Sequence, residues 1–265
     1  MYSGTIVPLI TPLAPDGAVD KSGVDRLVEY VHDGVTALMP ALSSGEGEHL
    51  TARQWHDVVE ATVACARGLP VLAGILAPTT DLVVGRARLA RELGAAAVVV
   101  STPFGAGVSQ EEILAHYTTL RAAVDIPLFV YNEAEKSGNH IELETLLAIF
   151  ALPGVVGIKE SSGDPALTRR IVEADHDVPV FEGWENLMLE ARGVAGFIGP
   201  LANLEPALCT AMLADPTAER QHEIDEVSKR LGIFEDDWYR HVKDELLARG
   251  VIGCAATADT TGGEA

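Results

Sequence analysis

The chain has little with which to hold a polyanion. Lysine and arginine together number 19 against 39 aspartates and glutamates, a formal net charge of −20 at pH 7. Nucleic acid and anionic membrane surfaces repel such a protein, so neither is expected as a partner. Cysteine is scarce as well. Cys65, Cys209 and Cys254 stand far apart without CxxC spacing, which speaks for buried free thiols and against a disulfide frame or a zinc site. No apolar run approaches the ~20 residues of a membrane helix. The N-terminus lacks the basic start and apolar stretch of a signal peptide, so a reducing cytoplasm is the expected compartment. The eight histidines show no HxH or HExxH spacing, and no metal is expected. There is no Rossmann GxGxxG and no P-loop, so a nucleotide cofactor has no support.

What is present is rhythm. Short apolar, β-branched runs alternate with longer helical segments. The predicted strands are Thr5–Thr11, Thr36–Pro40, Pro70–Ile75, Ala97–Ser101, Pro127–Tyr131, Val155–Lys159, Val178–Glu182 and Gly196–Gly199. Most are continuously apolar, as strands covered on both faces should be. Helices are predicted over Ser22–Asp33, Thr51–Ala66, Thr80–Leu93, Ser109–Val124, Ile141–Phe150 and Pro165–Ala174, with a short one over Glu185–Arg192. Thr51-Ala-Arg-Gln54 fits a capping box. Eight βα units point to an α/β fold closed as a (β/α)₈ TIM barrel, with an open doubly wound sheet as the alternative. The sequence then turns wholly helical over Glu205–Leu213, Thr217–Phe234 and Asp237–Arg249. The division that follows is a barrel core over 1–204, C-terminal helices over 205–254 and a small, polar, disordered tail over 255–265.

Chemistry in such a barrel sits where the strands end. The sixth strand ends in Lys159, one of five lysines and the only one closing an apolar strand. Desolvation there lowers the amine's pKa and frees its lone pair to attack a ketone. The iminium that results is an electron sink, and loss of a neighbouring proton yields an enamine, a carbon nucleophile. Taken alone, the residue is equally a strand-end surface lysine or one paired with Glu160. Tyr131 ends the fifth strand, where a phenol can shuttle protons, or where its ring merely fills the core. Ser43-Ser44-Gly45 follows the second strand. It offers hydroxyls and successive N–H groups to a carboxylate, although a helix-entry loop also favours these residues.

In combination these segments resemble the dihydrodipicolinate synthase / N-acetylneuraminate lyase family of class I aldolases. The resemblance rests on Gly4-Thr-Ile-Val-Pro-Leu-Ile-Thr-Pro12, Leu42-Ser-Ser-Gly-Glu46, Ser101-Thr-Pro103, Tyr131-Asn132 and Gly157-Ile-Lys-Glu-Ser-Ser-Gly-Asp164. It runs from residue 4 to about residue 250. It implies Lys159 as the Schiff-base nucleophile, Tyr131 as the proton shuttle and Ser43 as the hydroxyl linking it to a relay. Ser44 and the Gly45 amide are implied as contacts to the carboxylate of pyruvate or a related 2-oxo acid. Gly183 falls near the second substrate and Ile198 beside the bound pyruvyl group. The family commonly forms dimers or tetramers, so a homo-oligomer is expected. No metal or cofactor is implied, since the iminium itself accepts the electrons.

The departures bear on the second substrate. A tyrosine that the synthase branch carries after strand four is absent from Pro103-Phe-Gly-Ala106. In Tyr131-Asn-Glu-Ala-Glu-Lys-Ser-Gly138, Lys136 replaces the arginine that binds an aldehyde's carboxylate, keeping the charge but not the bidentate fork. Glu185 and Asn186 partly mimic the acidic pair of the sialate branch. The expected activity is therefore that of a lyase making or breaking a carbon–carbon bond between the 2-oxo acid and an aldehyde. The alternatives are a Schiff-base dehydratase of a keto-deoxy sugar acid, a 4-hydroxy-tetrahydrodipicolinate synthase and, last, a non-catalytic barrel.

Overall fold

Parallel strands and helices alternate through the computed structural model, which describes residues 1–105 and 107–259. The first half runs β1 (Gly4–Val7), α1 (Lys21–Val31), β2 (Ala37–Leu38), α2 (Ala52–Cys65), β3 (Leu72–Ile75), α3 (Thr80–Glu92), β4 (Ala97–Ser101) and α4 (Gln110–Ala123). The second runs β5 (Leu128–Asn132), α5 (Leu143–Phe150), β6 (Val155–Glu160), α6 (Pro165–Glu173), β7 (Val180–Glu182) and β8 (Gly196–Phe197), then α7 (Pro206–Ala214), α8 (Ala218–Arg230) and α9 (Trp238–Ala248). The strand order is β2-β1-β8-β7-β6-β5-β4-β3. The two ends meet through a parallel bridge between Leu38 and Val71, and the Gly74 N–H donates to the Pro40 carbonyl at 2.8 Å. The expected (β/α)₈ barrel with a C-terminal helical part is what the chain forms.

The apolar runs are continuous because each strand faces two cores. On β4, Ala97 and Val99 point into the barrel, while Val98 and Val100 point out to the helices. The barrel interior is filled by Ile6, Leu72, Val99, Phe129, Phe181 and their neighbours. Each such side chain contributes roughly 1.5–3 kcal/mol on burial. One layer depends on a missing side chain. Phe129 and Gly157 are register partners, and a Cβ on Gly157 would lie 2.3 Å from the Phe129 ring. The phenyl group therefore occupies the space beneath the ends of β5 and β6. Helix starts follow their caps: Thr51 and Gln54 form the predicted capping box, and Ser109 with Glu112 forms a second.

Three segments differ from expectation. Instead of a helix over Glu185–Arg192 there is one 3-10 turn, Glu185–Leu187. Helix α8 packs against it, with Gln221 accepting from the Leu189 N–H and donating to the Glu185 carbonyl, both at 2.9 Å. Helix α8 also stops early. The predicted Thr217–Phe234 ends at Arg230 because Gly232 turns left-handed (φ 66°), and the Ile233 N–H bonds back to the Ser228 carbonyl at 2.9 Å. Finally, residues 255–259 are packed, not a loose start of the tail. Thr257 and Ala258 are buried, and the Ala258 N–H donates to Glu46 Oε2 at 2.6 Å. A buried acceptor within reach is what ties this polar stretch down; the rest of the predicted tail, 260–265, lies outside the described residues. Helix α7, counted above with the C-terminal helices, packs on β1, where the Thr5 and Thr210 hydroxyls meet at 2.8 Å. No helix among the described residues is long and apolar enough to cross a membrane.

Candidate active site

The register that pairs Phe129 with Gly157 also pairs Tyr131 with Lys159, two residues on. Side chains alternate along a strand, so both project inward, into the layer above the phenyl ring and at the C-terminal mouth of the barrel. Lys159 is 3% exposed, and its Nζ lies 4.5 Å from the centroid of the Tyr131 ring. Among the described residues it makes no ion pair. Burial pulls its pKa down to about 8, against the opposing pull of Glu185, Glu133 and Glu182. A usable fraction of the amine is thus neutral near neutral pH.

Tyr131 is buried, and burial, then the field of Glu133, holds its phenol well above the ordinary range. It stays protonated and is a donor and acceptor, not a phenolate. Its hydroxyl shares a 3.2 Å hydrogen bond with Ser43 Oγ. Ser43 belongs to a tightly wound loop after β2, in which Ala41 and Glu46 both take left-handed backbone angles (φ 61° and 58°). Such strain at non-glycine residues persists only where the surroundings impose it. Here a buried clamp does so: Glu46 is ion-paired with the fully buried Lys243 of α9 and accepts from the Ala258 N–H. Next to Ser43, the Ser44 hydroxyl oxygen is buried without a hydrogen-bond partner among the described residues. An unsatisfied buried hydroxyl costs about 1–3 kcal/mol, a cost that a bound carboxylate would remove.

A cavity of about 200 Å³ joins these groups, lined by Ser43, Ser44, Tyr131, Lys159, Lys136 and Gly183 among others. Six of the eight residues singled out from sequence therefore come together. Gly183 is tied to close approach, since a Cβ there would sit 1.9 Å from Ser161 Oγ. Lys136 reaches the mouth but is ion-paired with Glu48 at 3.0 Å. Gly45 and Ile198 are not on the cavity wall. Gly45 packs against the loop's own backbone, where a Cβ would meet Ala41 N at 2.8 Å, and its carbonyl accepts from Thr11 Oγ1 at 2.7 Å. Ile198 is buried in the barrel interior with Tyr131 and Phe181.

Sequence reasoning named Glu185 only as a partial mimic of an acidic pair and did not place it, or Glu182, beside the lysine. Glu185 lines the cavity, is buried, and accepts from the Leu201 N–H at 2.9 Å. Glu182 accepts from the Gly183 and Trp184 amides at 3.0 and 2.9 Å. Burial raises both to about 7. Glu133, by contrast, closes its own turn by accepting from the Lys136 and Ser137 amides at 2.8 and 3.2 Å. Glu182 stands at a predicted strand end, which was the available signal. The cavity residues from 233 to 238 carried none, since they arrive from the turn between α8 and α9. One group of side chains capable of holding a metal, His56, Asp57 and Glu60, lies on α2 away from the cavity, and Glu60 is already paired with Lys21 at 2.7 Å.

Comparison with known proteins finds relatives along most of the chain. Residues 1–253 match the sequence model of the Dihydrodipicolinate synthetase family. The chain is 36% identical over 216 residues to the 4-hydroxy-tetrahydrodipicolinate synthase of Parvibaculum lavamentivorans, covering 80% of this chain and 74% of that one. It is 33% identical over 217 residues to the synthase of the same name from Rhodospirillum centenum, with 80% and 74% covered. The structure superposes on the dihydrodipicolinate synthase of Acinetobacter baumannii complexed with pyruvate at a TM-score of 0.88 and 25% identity, covering 97% of this chain and 92% of that one.

Proposed function

The chain belongs to the dihydrodipicolinate synthetase family of class I, pyruvate-dependent lyases, and we propose that within it Lys159 forms the imine with pyruvate and Tyr131 moves the protons. The observation that carries this reading is the pairing of a buried lysine, free of any ion pair among the described residues, with a protonated phenol on the adjacent strand. The neutral amine of Lys159 attacks the keto carbon. The Tyr131 hydroxyl passes a proton to the carbinolamine oxygen, which leaves as water. Ser43 holds the Tyr131 oxygen through their shared hydrogen bond while that proton is away. The Ser44 hydroxyl takes the carboxylate of the 2-oxo acid. Loss of a methyl proton, which returns to the Tyr131 oxygen, then gives the enamine, which adds to an aldehyde or, in reverse, is released from the longer 2-oxo acid.

The test is intact-mass spectrometry after incubation with pyruvate and sodium borohydride. The expected result is one reduced pyruvyl adduct per chain, mapped to Lys159 and absent from Lys159→Ala. A folded protein without the adduct refutes the assignment. A second reading has one observation in its favour. Glu185 lines the cavity with a pKa near 7, so part of it is protonated at neutral pH and could protonate a leaving hydroxyl. That would make the enzyme a Schiff-base dehydratase of a hydroxylated 2-oxo acid, which releases water without carbon–carbon cleavage.

A further inference from the structure

The mouth of the cavity is unlike the rest of the chain. Phenylalanine, tyrosine and tryptophan make up only 5% of the residues, and there are three tryptophans. Two of the three, Trp184 and Trp238, line this cavity, and Phe234 joins them. The third, Trp55, is core, with its indole N–H on the Gly74 carbonyl at 2.8 Å. Trp184 is held in place by its own indole N–H, which donates to the Ser161 carbonyl at 3.1 Å. Phe234 is 43% exposed, a large apolar surface left open at the place where a second substrate must enter. It reaches there because α8 breaks at Gly232.

The charges at the same mouth act in one direction. Glu135, Glu235 and Asp236 line it and are exposed. Apart from Lys159, Lys136 is the only cation among the lining residues, and Glu48 already pairs with it at 3.0 Å. An aldehyde bearing a carboxylate or phosphate would meet repulsion with no free cation to offset it. Exposed carboxylates contribute little to holding a cation, since both partners stay hydrated. Flat apolar walls, by contrast, suit a ring, which stacks favourably on indole and phenyl faces.

Resting on the Schiff-base reading above, we propose that the electrophile of this enzyme is an uncharged aldehyde carrying an aromatic ring, held between Trp184, Phe234 and Trp238. In the addition, the former methyl carbon of the enamine forms a bond to the aldehyde carbon, and the aldehyde oxygen takes the proton relayed by Tyr131. Water then cleaves the C=N bond, returning the Lys159 amine and releasing a 4-hydroxy-2-oxo acid that bears the ring.

The experiment compares pyruvate-dependent condensation with benzaldehyde, succinic semialdehyde, betaine aldehyde and acetaldehyde, with borohydride trapping of pyruvate run alongside. The expected result is a kcat/KM for benzaldehyde at least tenfold above those for the anionic and cationic aldehydes. The double variant Phe234→Ala/Trp238→Ala should lower the ratio of benzaldehyde to acetaldehyde at least tenfold. Because that is a ratio within one preparation, it does not depend on how much of the variant folds. Pyruvate trapped, with benzaldehyde condensing no faster than either charged aldehyde or not at all, overturns the proposal and leaves the Schiff base standing. No trapping overturns the Schiff-base reading, and this inference with it.

Discussion

Two lysines in this chain are buried, and they are buried for opposite purposes. Lys243 on α9 is fully enclosed, is ion-paired with the equally buried Glu46 and donates to the Ala256 carbonyl at 2.7 Å. Lys159 on β6 is 3% exposed and has no such partner among the described residues; the carboxyls that act on it do so through space. Burial lowers the pKa of both, with the pull of nearby carboxylates opposing it in each. The difference lies in what would happen to the lone pair. A Lys243 amine that lost its proton would leave Glu46 unpaired in the interior, so the charge is held in place. A Lys159 amine that loses its proton leaves no ion pair broken and gains a nucleophile. Burial alone therefore does not mark a reactive lysine; burial without a partner does.

The largest effect expected from breaking this contrast is at Lys159. Lys159→Met should abolish both the borohydride adduct and turnover, yet leave the protein at least as stable at pH 7 by thermal melting, because a costly buried amine is exchanged for an apolar side chain of similar length. Residual turnover above the uncatalysed rate would remove Lys159 from the mechanism. Next comes the neighbour that serves it. Tyr131→Phe should lower kcat by roughly 10²–10⁴, the range for a positioned acid–base group, since the ring remains while the hydroxyl shared with Ser43 is lost. An unchanged kcat would leave Tyr131 a packing residue only.

The same substitution at the other lysine should act the other way. Lys243→Met leaves Glu46 buried without its cation, and removing one partner of a buried pair typically costs about 3–5 kcal/mol. Denaturant unfolding should show that loss, and Lys243→Met/Glu46→Gln should recover part of it. Glu46 lies in the same loop as the two serines that line the cavity, so the single variant should also raise the KM for pyruvate. Equal stability of Lys243→Met and the parent would mean that the clamp contributes nothing to the loop.

What could be read in the sequence follows the range of the interactions. The barrel was legible because period-two packing makes the strands apolar on both faces; β4 and β5 show that pattern, and a register shift around Val156 interrupts it in β6. Lys159, Tyr131, Ser43 and Ser44 were legible because each ends a strand or begins its loop, and a barrel gathers all such ends at one mouth. The carboxyls at 182 and 185 were not legible as a charge cluster, since their effect on Lys159 depends on distances from β7 and the turn after it across to β6. The aromatic rim and the Glu46–Lys243 clamp were invisible for a further reason. The clamp joins residues some 200 positions apart and the rim brings Phe234 and Trp238 to Trp184 from a later turn, and nothing local distinguishes Lys243 from a solvated helix lysine.

The smallest expected effect is on pH dependence, and it sharpens the comparison most cleanly. With a pKa of about 8, Lys159 is neutral in about one chain in ten at pH 7 and in about nine in ten at pH 9. The second-order rate of imine formation with pyruvate should therefore rise about tenfold over that interval and level off. An unperturbed lysine at 10.5 would give roughly a hundredfold rise, still climbing at pH 9. The linked effect on stability has a definite sign. Between about pH 8 and 10.5 the unfolded chain holds a proton on Lys159 that the folded chain has released, so this group's penalty is full below that window and fades as pH rises through it. The advantage of Lys159→Met in stability should accordingly shrink between pH 8 and 10. A rate that climbs steadily past pH 9, together with a constant stability difference, would show that Lys159 is no more perturbed than a surface lysine. The distinction drawn between the two buried lysines would then fail on the side of the catalyst.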